Sequence, residues 1–147
     1  MAKSASRFVI EQFGQVLWII VQGGINKDFA QRYSDAVRAA ASPIIGQPWI
    51  RINDIRGWQL GGPEVIPPLH ELMLWCEQNQ LAHSINIVSL PHLQTYMLNQ
   101  MMAAIPRRSV RHMLESPAAT FALLEKLQQP LTPEQQDRVE QLWQQLH

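Results

Sequence analysis

The run Gln15-Val16-Leu17-Trp18-Ile19-Ile20-Val21-Gln22 constrains the fold more than any other segment of the chain. Side chains of a strand point alternately to its two faces, so a strand wet on one side alternates polar and apolar residues. Here both faces are apolar, which predicts a central strand covered on both sides. The preceding segment, Arg7-Phe8-Val9-Ile10-Glu11-Gln12, is also rich in β-branched and aromatic residues, and Phe13-Gly14 punctuates the two. An antiparallel hairpin is expected, with Gly23-Gly24 breaking its second arm.

Helices and strands alternate from there. Asn26 is placed to cap a helix carrying Phe29, Tyr33, Val37 and Ala40 at helical spacing, and Ser42-Pro43 ends it. Pro48–Asp54 is the next strand, followed by a glycine-bracketed loop, Ile55–Glu64. Pro67-Pro68 lack an N–H and suit a helix's first turn, so a helix is expected from there through Leu69, Leu72, Met73 and Cys76 to about Gln78. Ser84–Ser89 reads as a strand, Pro91–Ile105 as a helix, Ser109–Leu114 as an edge strand, and Ser116-Pro117 as the opening of another helix. A glutamine-rich linker leads to Thr132-Pro133-Glu134-Gln135, a capping-box opening, and to a terminal helix striped with Val139, Leu142, Trp143 and Leu146. The division expected is a domain over 7–127 and a linker with a C-terminal amphipathic helix over 128–147.

Composition narrows the function classes. Twelve basic and twelve acidic residues cancel, so nothing steers the chain toward nucleic acid or an anionic membrane. Charged residues are only 16% of the chain, against about 25% in soluble domains generally, and a neutral, charge-poor surface favours association. A homodimer is expected. Cys76 is the only cysteine and lies in an apolar run, so it reads as a small buried hydrophobe. Met1–Arg7 lacks the apolar stretch of a signal peptide, and Val16–Val21 is far short of a membrane span. These features suit a cytoplasmic protein.

A hairpin, three helix–strand alternations and a closing helix imply a mixed α/β sheet with helical cover. That order resembles the SpoIIAA-like branch of the STAS fold, the domain of anti-sigma-factor antagonists and sulfate-transporter tails. The resemblance covers roughly Phe8 to Leu127. It is carried by Val16–Gly23, by Ile50-Arg51-Ile52-Asn53-Asp54 with its glycine loop, by Ile85-Asn86-Ile87-Val88, and by Val110–Ala119. The resemblance implies a regulatory protein-interaction module. Phosphorylation-switched antagonists of this kind present a serine or threonine at the entrance to the helix after the second parallel strand. Here those positions look like Leu60-Gly61-Gly62-Pro63, with no hydroxyl, so a kinase-switched role is disfavoured. The family's likeness to lipid-binding sec14-type domains raises ligand binding as an alternative.

Candidate site residues follow from the same loop. Asp54 with Arg56 could orient a ligand or a partner peptide, or Asp54 could simply accept N–H bonds from its own turn. Gly61 and Gly62 could bare backbone amides to a ligand, or only turn the chain. Trp58 is read as a lid, an interface anchor or a packing residue. Met97, Met101 and Met102 with Met73 suit an adaptable apolar wall or ordinary core. The Leu69–Cys76 helix is apolar almost all round, with Leu74 and Trp75 off its main stripe, and requires a second cover. Trp143 and its stripe are expected to supply it, within one chain or between two subunits.

Catalytic and metal signatures are absent from the sequence. The five histidines show no i, i+4 pair, and there is no Gly-x-Ser-x-Gly elbow, phosphate loop or dinucleotide fingerprint. Arg107-Arg108 with Arg111 is a small basic patch, read as a solvated strand edge in preference to an anion site. No metal, no cofactor and no enzymatic activity are therefore expected. The leading reading is a non-catalytic interaction module, homodimeric or with an unidentified protein partner. The alternative is a binding protein or sensor for a small apolar, lipid-like ligand held between the methionine helix and Trp58.

Overall fold

The computed structural model describes residues 7–59 and 61–147, so the readings placed on residues 1–6 and on Leu60 lie outside the described residues. β1 (Arg7–Phe13) and β2 (Val16–Gly24) form the expected antiparallel hairpin, with Gly14 at a φ of 60° in its turn. There follow α1 (Lys27–Ala41), β3 (Trp49–Gln59), a single 3-10 turn (Pro63–Val65), α2 (Ile66–Gln78), β4 (Leu81–Ile87), α3 (Pro91–Met101), β5 (Val110–Leu114), α4 (Pro117–Lys126) and α5 (Pro133–Leu146). The strands lie in the order β1-β2-β3-β4-β5, parallel except for the hairpin.

The double-sided apolarity of β2 builds two cores. Leu17, Ile19 and Val21 face α1, α2 and α3, where they meet Phe29, Val37, Leu72 and Met101. Val16, Trp18 and Ile20 face the other way, onto Leu124 of α4 and Val139, Leu142 and Leu146 of α5. The caps are those read from sequence. Asn26 Oδ1 accepts from the N–H of Phe29 at 2.8 Å, and Thr132 and Gln135 close a reciprocal capping box.

Three expectations are corrected. First, Gly23-Gly24 continue β2 instead of breaking it: Gly23 takes a φ of 93°, which glycine reaches without a Cβ penalty. Second, β3 does not end at Asp54 but runs on to Gln59, so the first half of the anticipated loop is strand. Third, the terminal helix does not cover α2 within the chain. Its stripe lies on the sheet face opposite α2, against β1 and β2. Burying each of Val139, Leu142 and Leu146 stabilises by roughly 1.5–3 kcal/mol, and the second face of the central strand is where that surface is available.

Candidate functional site

The C-terminal half of β3 carries the candidate residues, and a bulge arranges them. Ile20 of β2 pairs with Asp54, but Gln22 pairs with Gly57, so β3 holds one extra residue there. An extra residue reverses the alternation of the strand beyond it. Asp54 and Arg56 consequently point to the α5 face, whereas Ile55 and Trp58 both join the core under α1, α2 and α3.

Asp54 is 1% exposed and is engaged by its neighbour. Arg56 Nε and Nη2 donate to its two carboxylate oxygens at 2.9 and 2.6 Å, a bidentate pair, and the Arg56 N–H donates to Oδ1 at 3.3 Å. The same guanidinium lies 3.9 Å from the centre of the Trp143 ring, which stacks on His147 with centroids 3.8 Å apart. A carboxylate, a guanidinium and two aromatic rings are thus layered beside the C-terminal end of α5. Trp143, expected beside Leu74 and Trp75, stands on the opposite side of the sheet from them.

Leu74 and Trp75 remain half-buried, and the guanidinium of Arg38 covers part of the Trp75 ring at 5.7 Å. Gly61 and Gly62 lead into the 3-10 turn. A Cβ on Gly61 would run into the carbonyl oxygen of Ile25, so glycine permits a close backbone approach there. On Gly62 a Cβ would meet the Glu64 carboxylate.

Trp58 is 6% exposed and borders a cavity of about 40 Å³ beneath α1, α2 and α3. Met73, Met101 and Leu98 supply part of the wall, so the methionine helix and Trp58 do converge; Met97 is half-buried against the same core. Asn53 is the polar contribution from β3. Its Oδ1 and the Trp58 Nε1 are both buried without a hydrogen-bond partner. Tyr33, also on the wall, has its phenol pushed up to about 12 by burial, with Arg51 partly opposing. Cys76 is buried as expected, and burial raises its thiol pKa, against the opposing pull of Arg51.

Other residues emerge only in three dimensions. Gln94 is 0% exposed in α3. Its Oε1 accepts from the N–H groups of Ser89 and Leu90, and its Nε2 donates to the Ile55 carbonyl at 2.8 Å, tying α3 to the bulge. Outside that staple Leu90, Leu93 and Tyr96 are 56%, 47% and 59% exposed. His83 of β4 and His112 of β5 bring Nδ1 and Nε2 to 3.0 Å. Burial lowers both their pKa values, and for His112 the neighbouring His83 adds to it. Only the cross-strand register, Ile85 opposite His112, makes them neighbours, which single-chain spacing cannot show. Among the described residues no group of three or more His, Cys, Asp or Glu stands together as a metal set, and no helix is long and apolar enough to cross a membrane.

No family model and no curated protein sequence matches the chain. Solved structures do. A crystal structure of an uncharacterized DUF3478-family protein with a SpoIIAA-like fold, from Shewanella loihica PV-4, superposes with a TM-score of 0.63 at 14% identity, over 84% of this chain and 98% of that one. An anti-sigma factor antagonist from Mycobacterium paratuberculosis gives a TM-score of 0.55 at 12% identity, over 84% of this chain and 97% of that one. Together with the five-stranded mixed sheet, these likenesses establish that the chain has the SpoIIAA-like α/β fold expected from its sequence.

Proposed function

We propose that the chain is a non-catalytic, cytoplasmic interaction module that self-associates through the outer side of α3. The observation that carries this reading is the exposure of Leu90, Leu93 and Tyr96, three large apolar side chains spaced three residues apart at the start of that helix. Solvent-facing apolar residues gathered in one place, with an aromatic among them, are typical of contact surfaces. Gln94 fixes the patch to β3, so little conformational freedom is lost on docking. The fold likeness to an anti-sigma factor antagonist supports a role through protein contacts. Regulation by phosphate at the α2 entrance is disfavoured, because Asn53–Glu64 contains no serine, threonine or tyrosine.

Analytical ultracentrifugation of the full chain beside Leu93→Glu/Tyr96→Glu tests this. A dimer that the double variant converts to a monomer, with unchanged circular dichroism, is expected. A monomeric full chain overturns it.

A second reading, binding of a small apolar ligand, draws on the cavity bordered by Trp58, Met73 and Met101. At about 40 Å³ it is far below the ~300–1,000 Å³ of pockets that bury drug-sized ligands. An acyl chain would need α3 to move outward. Native mass spectrometry of freshly purified protein separates the readings, because co-purifying lipid on a monomer favours the second.

A further inference from the structure

Arg51 stands in the middle of β3 at 3% exposure and belongs to no ion pair among the described residues. Its Nη2 donates to Ser84 Oγ at 3.0 Å, the Cys76 thiol lies against the guanidinium, and Nε and Nη1 are buried with no oxygen or nitrogen acceptor. A guanidinium does not lose its proton inside a protein, so burial cannot be relieved by neutralisation. An uncompensated buried charge is strongly unfavourable unless something of opposite sign reaches it.

The guanidinium lines a small pocket between α2, α3 and the β4–β5 pair, with Ser84, Asn86, Arg107, Arg111 and Glu77. Three arginines therefore stand against one carboxylate. Glu77 is occupied elsewhere: Oε1 accepts from the N–H groups of Arg108 and Ser109 at 2.6 and 3.0 Å, and Oε2 from Ser109 Oγ at 2.5 Å. Arg111 is partly buried, donates to Asn99 Oδ1 at 2.7 Å, and is held below its usual pKa by burial first and then by Arg107 and Arg51. The basic residues near β5 are thus not merely a solvated strand edge, because Arg107 and Arg111 converge on a buried cation from β3.

We propose that this pocket binds a compact oxyanion, the carboxylate or phosphate group of a small molecule, with Arg51 as its buried anchor and Arg111 and Arg107 closing over it. Planar guanidinium donors suit such groups, and charge-assisted hydrogen bonds are the strong ones. The pocket has about 10 Å³, room for roughly one water-sized group, so even a compact oxyanion enters only if the exposed Arg107 and the neighbouring wall move outward. Met73 and Leu98 line this pocket and also the apolar cavity. An anion with a short apolar tail therefore has the apolar side chains of Met73 and Leu98 beside it for that tail.

The test uses the full chain with sodium phosphate, acetate and hexanoate at constant ionic strength, read by the Arg Nε–H resonances and by melting temperature. The Arg51 Nε–H signal is expected to shift saturably with phosphate or acetate. Arg111→Gln should weaken binding about tenfold, and Arg51→Met should remove the anion-specific part of the thermal stabilisation. General salting-out acts on all variants alike, so the difference between variants is the signal. Should Arg51→Met fail to fold, the resonance titration of wild type and Arg111→Gln decides alone. Hexanoate binding tighter than acetate identifies a tailed carboxylate as the occupant, and phosphate binding tightest identifies a free or headgroup phosphate. No saturable shift with any of the three, or the same affinity in Arg111→Gln, overturns the proposal.

Discussion

Replacing Trp58 separates a packing residue from a solvent-facing lid. The side chain is 6% exposed, joins the core under α1 and α2, and borders the cavity. Truncating a buried tryptophan to alanine costs about 3–5 kcal/mol. For a domain of this size each kcal/mol lowers the melting temperature by about 2–4 °C, so Trp58→Ala should melt roughly 6–20 °C lower. Trp58→Phe behaves differently. It sheds some buried area but also removes Nε1–H, a buried donor without a partner, and such a donor costs about 1–3 kcal/mol. The two terms oppose, and a net loss under about 1.5 kcal/mol is expected. Urea denaturation gives both numbers, provided the slope of free energy against denaturant is unchanged. If Trp58→Ala is destabilised by less than about 1 kcal/mol, the packing argument fails and a lid or anchor role for Trp58 returns.

Removing residues 131–147 should uncover Trp18, Ile20, Ile50 and Ile52, giving aggregation or a clear loss of stability by light scattering and thermal melting; an equally stable, soluble truncation would contradict the placement of α5. Asp54→Asn leaves Arg56 without its bidentate carboxylate and should cost about 1–3 kcal/mol, less than a fully buried pair because Arg56 is 25% exposed; an unchanged urea midpoint would show the pair to be idle. His83 and His112 have folded pKa values below the unfolded one, so the unfolded chain binds more protons as acidity rises. Their contribution is complete above about pH 6.5 and is lost as pH falls below it. Denaturation midpoints should therefore drop between about pH 7.5 and pH 5, more in wild type than in His83→Gln/His112→Gln; equal drops would remove the histidines as the cause.

Much of the architecture was legible in the sequence because local chemistry and tertiary demand coincide there. Val16–Val21 is apolar on both faces and became the strand covered on both faces. Asn26 and Thr132 cap the helices they precede. Errors arose where a residue's neighbours are set by the far side of the sheet. Trp143 lies on an apolar helical stripe and Trp75 beside one, and nothing local tells which sheet face each helix covers. Arg51, Ser84 and Asn86 read as the polar half of alternating strands, which ordinarily faces water. In this sheet both faces are covered, so the same alternation buries them. The pairing of His83 with His112 and of Gln94 with the β3 bulge likewise depends on register between strands, not on spacing along the chain.

The bulge in β3 ties these observations into one mechanical unit. Without the extra residue, strict alternation would send Trp58 to the α5 side with Arg56, and the cavity would lose a wall. With it, Asp54 and Arg56 meet Trp143 on one face while Trp58 closes the apolar space on the other. Gln94 holds the Ile55 carbonyl inside the bulge, and the N–H groups it also satisfies belong to the segment carrying the exposed Leu90. The α3 patch, the cavity and the α5 contact are therefore connected through one irregular stretch of strand. A ligand that displaces α3 to enlarge the cavity must strain the Gln94 staple and move Leu90, Leu93 and Tyr96 with it. Ligand binding and self-association at this end of the sheet would then be coupled, and by linkage each would alter the other's affinity by the same factor.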